Sequence, residues 1–301
     1  MPSSNHANPS PSTSRPGGLE AVDAIVVNFN AAEDLRACLS SLLPEPVARI
    51  IVVDNDSHVA SASIVEMMAR SDLRIEWLPT GRNLGFGSGA NRGIAAATAP
   101  FVLLLNPDAE VEAGAVGQLR SALAVDATLG VVGPEVTSFD GVRYPSARSF
   151  PNMVDAMAHG ALGLIAPKNR WSARYRTPDR IDWVSGTAML LRTAAVEEIG
   201  GFDESYFMYV EDVDLCWRLA KAGWRTGFVS RATVRHRIGG SSEQRPYRMI
   251  VAHHRSLWRF AYSTTTGMSR FALPVVALGL VARTAVASAA RRVRKLPPAA
   301  Q

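Results

Sequence analysis

Apolar and polar positions alternate in blocks along the first half of the chain. The short apolar runs AIVVNF (24–29), ARIIVVDN (48–55), LRIEWL (73–78) and FVLLLN (101–106) predict strands. Between them, apolar residues recur every three to four positions over 31–43, 59–70, 87–98 and 111–125, which predicts helices. GVVGPEV (130–136) follows as a further apolar segment. Strands that are apolar throughout, alternating with helices, define an α/β fold: a Rossmann-like, mostly parallel sheet flanked by helices on both faces. FVLLLN is apolar up to its last residue and belongs near the sheet centre. Such sheets bind ligands at the carboxyl ends of their strands, so the residues just after each strand come first for inspection.

Those residues are Asn28 and Asn30 after the first strand, Asp54-Asn55-Asp56-Ser57 after the second, and Asn106-Pro107-Asp108 after the fourth. Any one of them is ordinary turn chemistry; three at one sheet edge form a constellation. None carries a phosphate-loop pattern. GFGSGANRG has glycines at 85, 87 and 89, but it follows the third strand instead of opening the first βα unit, which makes it a poor dinucleotide fingerprint.

The second half is less regular, and no internal repeat is visible. GVRYPSARSFP (141–151) carries Arg143, Tyr144 and Arg148. IDWVSGTAMLLR (181–192) is strand-like but broken at Ser185-Gly186-Thr187, where small residues allow close approach of a ligand. MYVEDVDLCWRLAKAGW (208–224) contains a helix over 211–222, and WRTGFV (224–229) a further strand. Residues three and four apart share a helix face. Glu211, Asp214, Arg218 and Lys221 therefore form a polar stripe, acids early and bases late as the helix dipole favours. Asp212 falls instead with Leu215, Cys216 and Leu219, the buried side. An inward carboxylate at a helix start is either a cap satisfied by hydrogen bonds or a general base held in a cleft. The helix alone leaves both readings open.

Composition adds bounds. The 301 residues, 47% hydrophobic and 20% charged, suffice for one large α/β domain or two small ones. Cys38 and Cys216 have no metal-ligand spacing and read as reduced core residues of a cytosolic protein. Residues 1–20, rich in Ser, Pro and Asn without an apolar run, read as a disordered leader and not as a secretory signal. The main domain is expected over 21–243 and a basic helical extension over 244–301. After Glu243 there is no acid but there are ten Lys and Arg, so the body carries −5 and the tail +10. Such a tail suits an anionic surface. Residues 271–290, followed by RRVRK, are just long enough to span a bilayer but are interrupted by Pro274 and Arg283. A peripheral helix on the cytoplasmic leaflet, held by the Arg cluster, is the expectation; a span and a soluble packing helix are the alternatives. The tail lacks interleaved stacking aromatics, so nucleic acid is not an expected partner.

In order along residues 22–242, VVNFN, VVDNDS, NLGFGSGANRG, LLLNPDAEV, WVSGTAMLLR, GGFDESYFMYVEDVDLCWRLAKAGW and VRHRIGGSS resemble family 2 glycosyltransferases of the GT-A fold. More narrowly, YPSARSFP, KNRWSARYR and AHHRS resemble actinobacterial rhamnosyltransferases of that family. These move L-rhamnose from dTDP-rhamnose to N-acetylglucosaminyl-diphospho-polyprenol, building the peptidoglycan–arabinogalactan linker of the cell wall. The resemblance implies that Asp54 accepts a hydrogen bond from the thymine ring, beside the Asn28–Asn30 loop. It implies that Asn83, Gly85, Asn91 and Asn106 shape the nucleotide-sugar pocket. It assigns Asp108 to a divalent cation, Mg²⁺ or Mn²⁺, with His236 as second ligand. Asn106 stands where the family's D-x-D motif has its first Asp, which weakens metal binding without nucleotide. Asp212 becomes the catalytic base of an inverting transfer, β donor to α product. Trp183, Ser185, Gly186 and Glu211 are implied acceptor contacts, and Arg143 and Arg148 partners of the acceptor diphosphate. A polyprenyl acceptor also accounts for the membrane-seeking tail. Two alternatives stay open at this level: another nucleotide sugar or acceptor on the same fold, and a membrane scaffold without turnover, which the Asn at 106 favours.

Overall fold

The computed structural model describes residues 20–150, 181–237 and 246–294. Most of the leader, the KNRWSARYR segment and the GGSS that follows Ile238 lie outside the described residues. The first half folds as β1 (Val22–Asn28), α1 (Ala32–Leu42), β2 (Arg49–Asp54), α2 (Val59–Ala69), β3 (Ile75–Pro79), α3 (Phe86–Ala96) and β4 (Phe101–Leu105). There follow β5 (Ala109–Val111), α4 (Ala115–Val125), β6 (Leu129–Thr137), β7 (Arg143–Tyr144) and β8 (Ala147–Arg148). After residue 180 come β9 (Trp183–Val184), β10 (Ala188–Arg192), α5 (Thr193–Glu198), α6 (Glu211–Lys221) and β11 (Arg225–His236). The chain continues with α7 (Pro246–Thr264), a 3₁₀ turn (Gly267–Ala272) and α8 (Leu273–Arg294).

Nine strands form one sheet in the order β3-β2-β1-β4-β10-β6-β11-β5, with β7 on β6. Strands β3, β2, β1 and β4 are parallel, and β11 is parallel to β6. β10 runs against both β4 and β6, and β5 runs against β11. Every residue of β1 and β4 is buried, as their apolar runs demand. Successive side chains point to opposite faces. Val26, Ile50, Val52, Leu103 and Leu105 therefore pack in one layer with Leu35 and Leu39 of α1 and Leu119 and Leu123 of α4. Ile25, Ile51, Val53, Val102 and Leu104 pack in the other with Ala90 and Ile94 of α3 and Leu215, Cys216 and Leu219 of α6. Each such Leu or Ile contributes about 1.5–3 kcal/mol on burial. α3 approaches β1 so closely that a Cβ on Gly93 would sit 2.5 Å from Ile25 Cγ2.

Two boundaries differ from the sequence expectation, and so does the mix of strand directions. The helix expected from 111 begins at Ala115, because Gly114 is left-handed (φ 79°) and Ala109–Val111 pairs with β11 as an edge strand. Glu45 caps α4 from outside, accepting from Gly114 N (2.6 Å) and Val116 N (2.9 Å). The strand expected at 224–229 continues to His236 past an irregularity between Val229 and Thr233. The sheet is mixed, because β10 inserts antiparallel at its middle.

The C-terminal helices form a hairpin. Phe260 of α7 clusters with Tyr206, Val210 and Val213. Thr284 of α8 lies 2.8 Å from His254 Nδ1 of α7, on the helix face that also buries Leu273 and Val276. The opposite face exposes Phe271, Val275, Leu278, Val281 and Val286. Residues 267–289 are long and apolar enough to cross a membrane, and only 11% of their most apolar window is buried. Pro274 does not interrupt α8; it lies in the first turn, where its missing N–H is not needed.

Candidate active site

The topology brings the candidate residues to one sheet edge. Asn28 and Asp54 are register partners at the ends of β1 and β2. β4 ends opposite the start of β10, Leu105 against Ala188, which sets Asn106 beside the Ser185–Thr187 turn. His236 ends β11 opposite Ala109.

The first part of the site is a polar knot. Asn28 Nδ2 donates to Asp54 Oδ1 (3.0 Å) and to Ser57 Oγ (2.9 Å). Ser57 N donates to Asp54 Oδ2 (3.1 Å), and Ser57 Oγ accepts from Asn30 N (3.0 Å). Asn30 and Asp56 are left-handed, a conformation Asn and Asp tolerate. Asn28 Oδ1 is buried without a partner among the described residues, an acceptor with capacity to spare. Asn55 Nδ2 donates to Gly85 O (2.9 Å), and Gly85 N to Asn83 Oδ1 (2.9 Å). Asn91 is engaged elsewhere: its Nδ2 donates to Phe202 O (2.9 Å) and Glu204 Oε1 (3.0 Å), while its Oδ1 accepts from Phe202 N (2.8 Å). It ties α3 to the loop ahead of α6.

The second part is a carboxylate–imidazole pair. His236 Nε2 lies 3.1 Å from Asp108 Oδ1, and both side chains are largely buried. Octahedral Mg²⁺ with bonds of about 2.1 Å sets adjacent ligands about 3 Å apart, so this spacing fits two neighbouring positions on such an ion. His236 Nδ1 is also buried, without a partner among the described residues. Among the described residues no group of three or more His, Cys, Asp or Glu is placed to hold a metal. Two candidate ligands thus stand here among the described residues, in keeping with Asn106 in place of a carboxylate. Asn106 fixes the loop through its backbone, donating to Thr187 O (2.9 Å) and accepting from Ala109 N (3.1 Å).

The third part is the start of α6. Two residues ahead of it, Tyr209 and Val210, are left-handed (φ 68° and 69°). Asp212 Oδ2 accepts from Gly186 N (2.8 Å) and its Oδ1 from Val213 N (2.8 Å). Burial raises the pKa of Asp212; those N–H groups and the charge of Arg148 pull it back. Arg148 and Trp183 are register partners in the β8–β9 ribbon. The Arg148 guanidinium sits 5.5 Å from the ring centroids of Tyr144 and Trp183. Ser185 N donates to Ser146 O (2.7 Å), and its hydroxyl meets Thr187 Oγ1. The ribbon thus brings Arg148, Trp183, Ser185 and Gly186 to Asp212. Arg143 lies apart, mostly exposed on β7 and 3.0 Å from Glu135 Oε1.

Glu211 and Asp214 correct the polar-stripe expectation: both are buried, more so than Asp212. The 199–210 loop covers that side of α6. Arg218 folds back onto Asp214 (2.7 Å) and donates to Ile199 O and Gly201 O. Glu211 Oε2 has no partner among the described residues, and burial, helped by the neighbouring Asp212 charge, pushes this carboxyl up to about 8. Ser57 and Thr187 stood in the sequence only as members of their loops, without roles of their own; the Ser57 hydroxyl finds its partners Asn28 and Asn30 nearly thirty positions away, and Thr187 holds Asn106 N through its carbonyl.

The fold defines the class first. A Pyrobaculum calidifontis mannosyltransferase, solved with GDP-Man and Mn²⁺, matches with TM-score 0.57 over 94% of this chain and 80% of that one, at 17% identity. The architecture is the GT-A glycosyltransferase fold. Residues 23–200 match the family description "Glycosyl transferase family 2", and 172–287 match "Glycosyl transferase family group 2". The chain belongs to glycosyl transferase family 2 and is a glycosyltransferase. It is 32% identical over 298 residues to the Mycobacterium tuberculosis N-acetylglucosaminyl-diphospho-decaprenol L-rhamnosyltransferase, covering 92% of this chain and 96% of that one. The Escherichia coli K12 rhamnosyltransferase WbbL is 30% identical over 217 residues, 68% of this chain and 79% of that one.

Proposed function

We propose that this glycosyltransferase moves L-rhamnose from dTDP-β-L-rhamnose to N-acetylglucosaminyl-diphospho-polyprenol, with inversion, at the cytoplasmic face of a membrane. The observation that carries the chemistry is the hydrogen bond from Gly186 N to Asp212, at the sheet edge that also holds Asp54, Asp108 and His236. Asp212 takes the proton of the acceptor hydroxyl as that oxygen bonds to the anomeric carbon and the bond to the dTDP oxygen breaks. Asp54 and Asn28 receive the base of the nucleotide, and Arg148 faces the anionic acceptor. Asp108 and His236 would hold a divalent cation, which when bound supplies positive charge to the departing diphosphate. The choice of rhamnose and of a polyprenyl acceptor is supported by similarity over 92% of the chain to the mycobacterial enzyme.

The tail supports a lipid surface. α8 turns its apolar stripe outward and its polar Thr284 inward, and the chain after Glu243 carries only positive charge. One side of α8 is occupied by α7, so the helix lies along an anionic bilayer instead of crossing it.

The deciding assay supplies radiolabelled dTDP-rhamnose, UDP-glucose or GDP-mannose with a synthetic N-acetylglucosaminyl-diphospho-lipid. Transfer from dTDP-rhamnose to give an α-linked product is expected; preference for either other donor would overturn the substrate assignment. Asp212→Asn is expected to cut turnover by about 10²–10⁴-fold with dTDP binding unchanged. Comparable turnover in that variant would remove Asp212 as the base.

A further inference from the structure

α7 lies between the turn that carries the base and the lipid-facing helix. On one side it holds α8 through His254 and Thr284. On the other it meets the 203–210 segment at several points. Ser256 Oγ donates to Met208 O (2.9 Å), and Ser256 is buried. The His253 ring meets Tyr209 edge-on with centroids 5.3 Å apart. Arg259 Nη2 donates to Asp203 Oδ2 (2.9 Å), and its guanidinium lies over Tyr206 at 5.4 Å.

Met208 immediately precedes the left-handed pair Tyr209–Val210, and Glu211 and Asp212 follow directly. A left-handed non-glycine costs about 1–3 kcal/mol and persists only where its surroundings impose it; for β-branched Val210 the strain is sharpest. The backbone entering α6 is thus under load, and the carbonyl at the head of the strained pair is fixed by a side chain from α7. A small rotation there would swing the first turn of α6, where Asp212 must meet Gly186 N at 2.8 Å.

We propose that Ser256 is a positioning residue for the catalytic base, acting through the Met208 carbonyl and never touching substrate. The proposal rests on the reading of Asp212 as the base. The titratable and charged groups facing Asp212 among the described residues are Glu211 and Cys216 on its own helix and Arg148 from β8. The 185–187 turn adds the Gly186 N–H, and Phe86 of α3 lies beside Gly186.

The test is Ser256→Ala, compared with Ser256→Thr, in the full chain with whichever donor supports transfer. Ser256→Ala is expected to lower kcat about tenfold, a change of about 1.4 kcal/mol in the barrier, with the donor KM and dTDP affinity unchanged. The acid limb of its kcat/KM profile is expected to move to lower pH, because a loosened turn admits water and relieves the burial that raises Asp212. Ser256→Thr, which keeps the hydroxyl, is expected to restore most of the turnover. Unchanged kcat in Ser256→Ala would overturn the proposal. So would a kcat loss without movement of the acid limb, or with a parallel fall in dTDP affinity and melting temperature, since those mark a merely structural role. Asp212→Asn run alongside separates the two ideas. Turnover retained there sinks the base itself; an inactive Asp212→Asn beside a normal Ser256→Ala sinks only the positioning role.

Discussion

Glu211 and Asp212 are neighbours with opposite circumstances. Asp212 accepts two backbone hydrogen bonds and feels Arg148, whereas Glu211 is enclosed with one oxygen unpartnered. Two adjacent carboxyls in a low-dielectric site resist carrying two charges. The N–H groups make Asp212 the seat of the single charge, which is what a base requires. The Glu211 carboxyl titrates at about 8 when folded, against 4.5 ordinarily. Between those values the folded protein binds more protons than the unfolded one. The stability this residue contributes is therefore full below the unfolded value, declines as pH rises, and is lost above about 8. Glu211→Gln is expected to raise the melting temperature more at pH 8 than at pH 5; an equal gain at both would contradict the assignment. Helical periodicity placed Asp212 on the inward side but could not place Glu211. Glu211 packs against α3, where a Cβ on Gly87 would lie 3.7 Å from its own, and that neighbour has no signature in the helix's own spacing.

At the level of elements, α3 begins at a point of close contact. Gly85 has φ 89°, and a Cβ there would lie 2.2 Å from the Phe207 carbonyl oxygen. Gly81 is also left-handed (φ 73°) but meets nothing within 4 Å. Gly81→Ala should cost about 1 kcal/mol from backbone strain alone, and Gly85→Ala at least ~2 kcal/mol more, because the 207 carbonyl must move. Urea unfolding of the two variants measures the difference, and equal costs would show that the contact yields freely. Strands β1, β2 and β4 were legible because burial on both faces writes itself as unbroken apolar sequence. The direction of β10 was not: AMLLR is equally apolar either way round, and its pairing with β4 and β6 is decided by where the chain returns. The start of α4 was blurred because Val111 continues the helical spacing while belonging to β5.

Over the whole molecule, the tail exposes a stripe of large apolar residues while its inward face joins Leu273 and Val276 with a hydroxyl–imidazole contact. Replacing Leu278 and Val281 together by Asp is expected to weaken sedimentation with phosphatidylglycerol vesicles by at least about tenfold, since each buried aliphatic side chain is worth about 1.5–3 kcal/mol. Unchanged partitioning would refute the lipid-facing assignment. Length and charge announced this tail in the sequence, but its orientation depends on Thr284 finding His254, thirty positions away. The pairing of Arg148 with Trp183 has a consequence of another kind. It props the Arg148 guanidinium between the Tyr144 and Trp183 rings, on the rim beside Asp212. A cation braced on two aromatic faces keeps its bearing with little help from solvent, so the positive charge next to that carboxylate is a fixture of the scaffold.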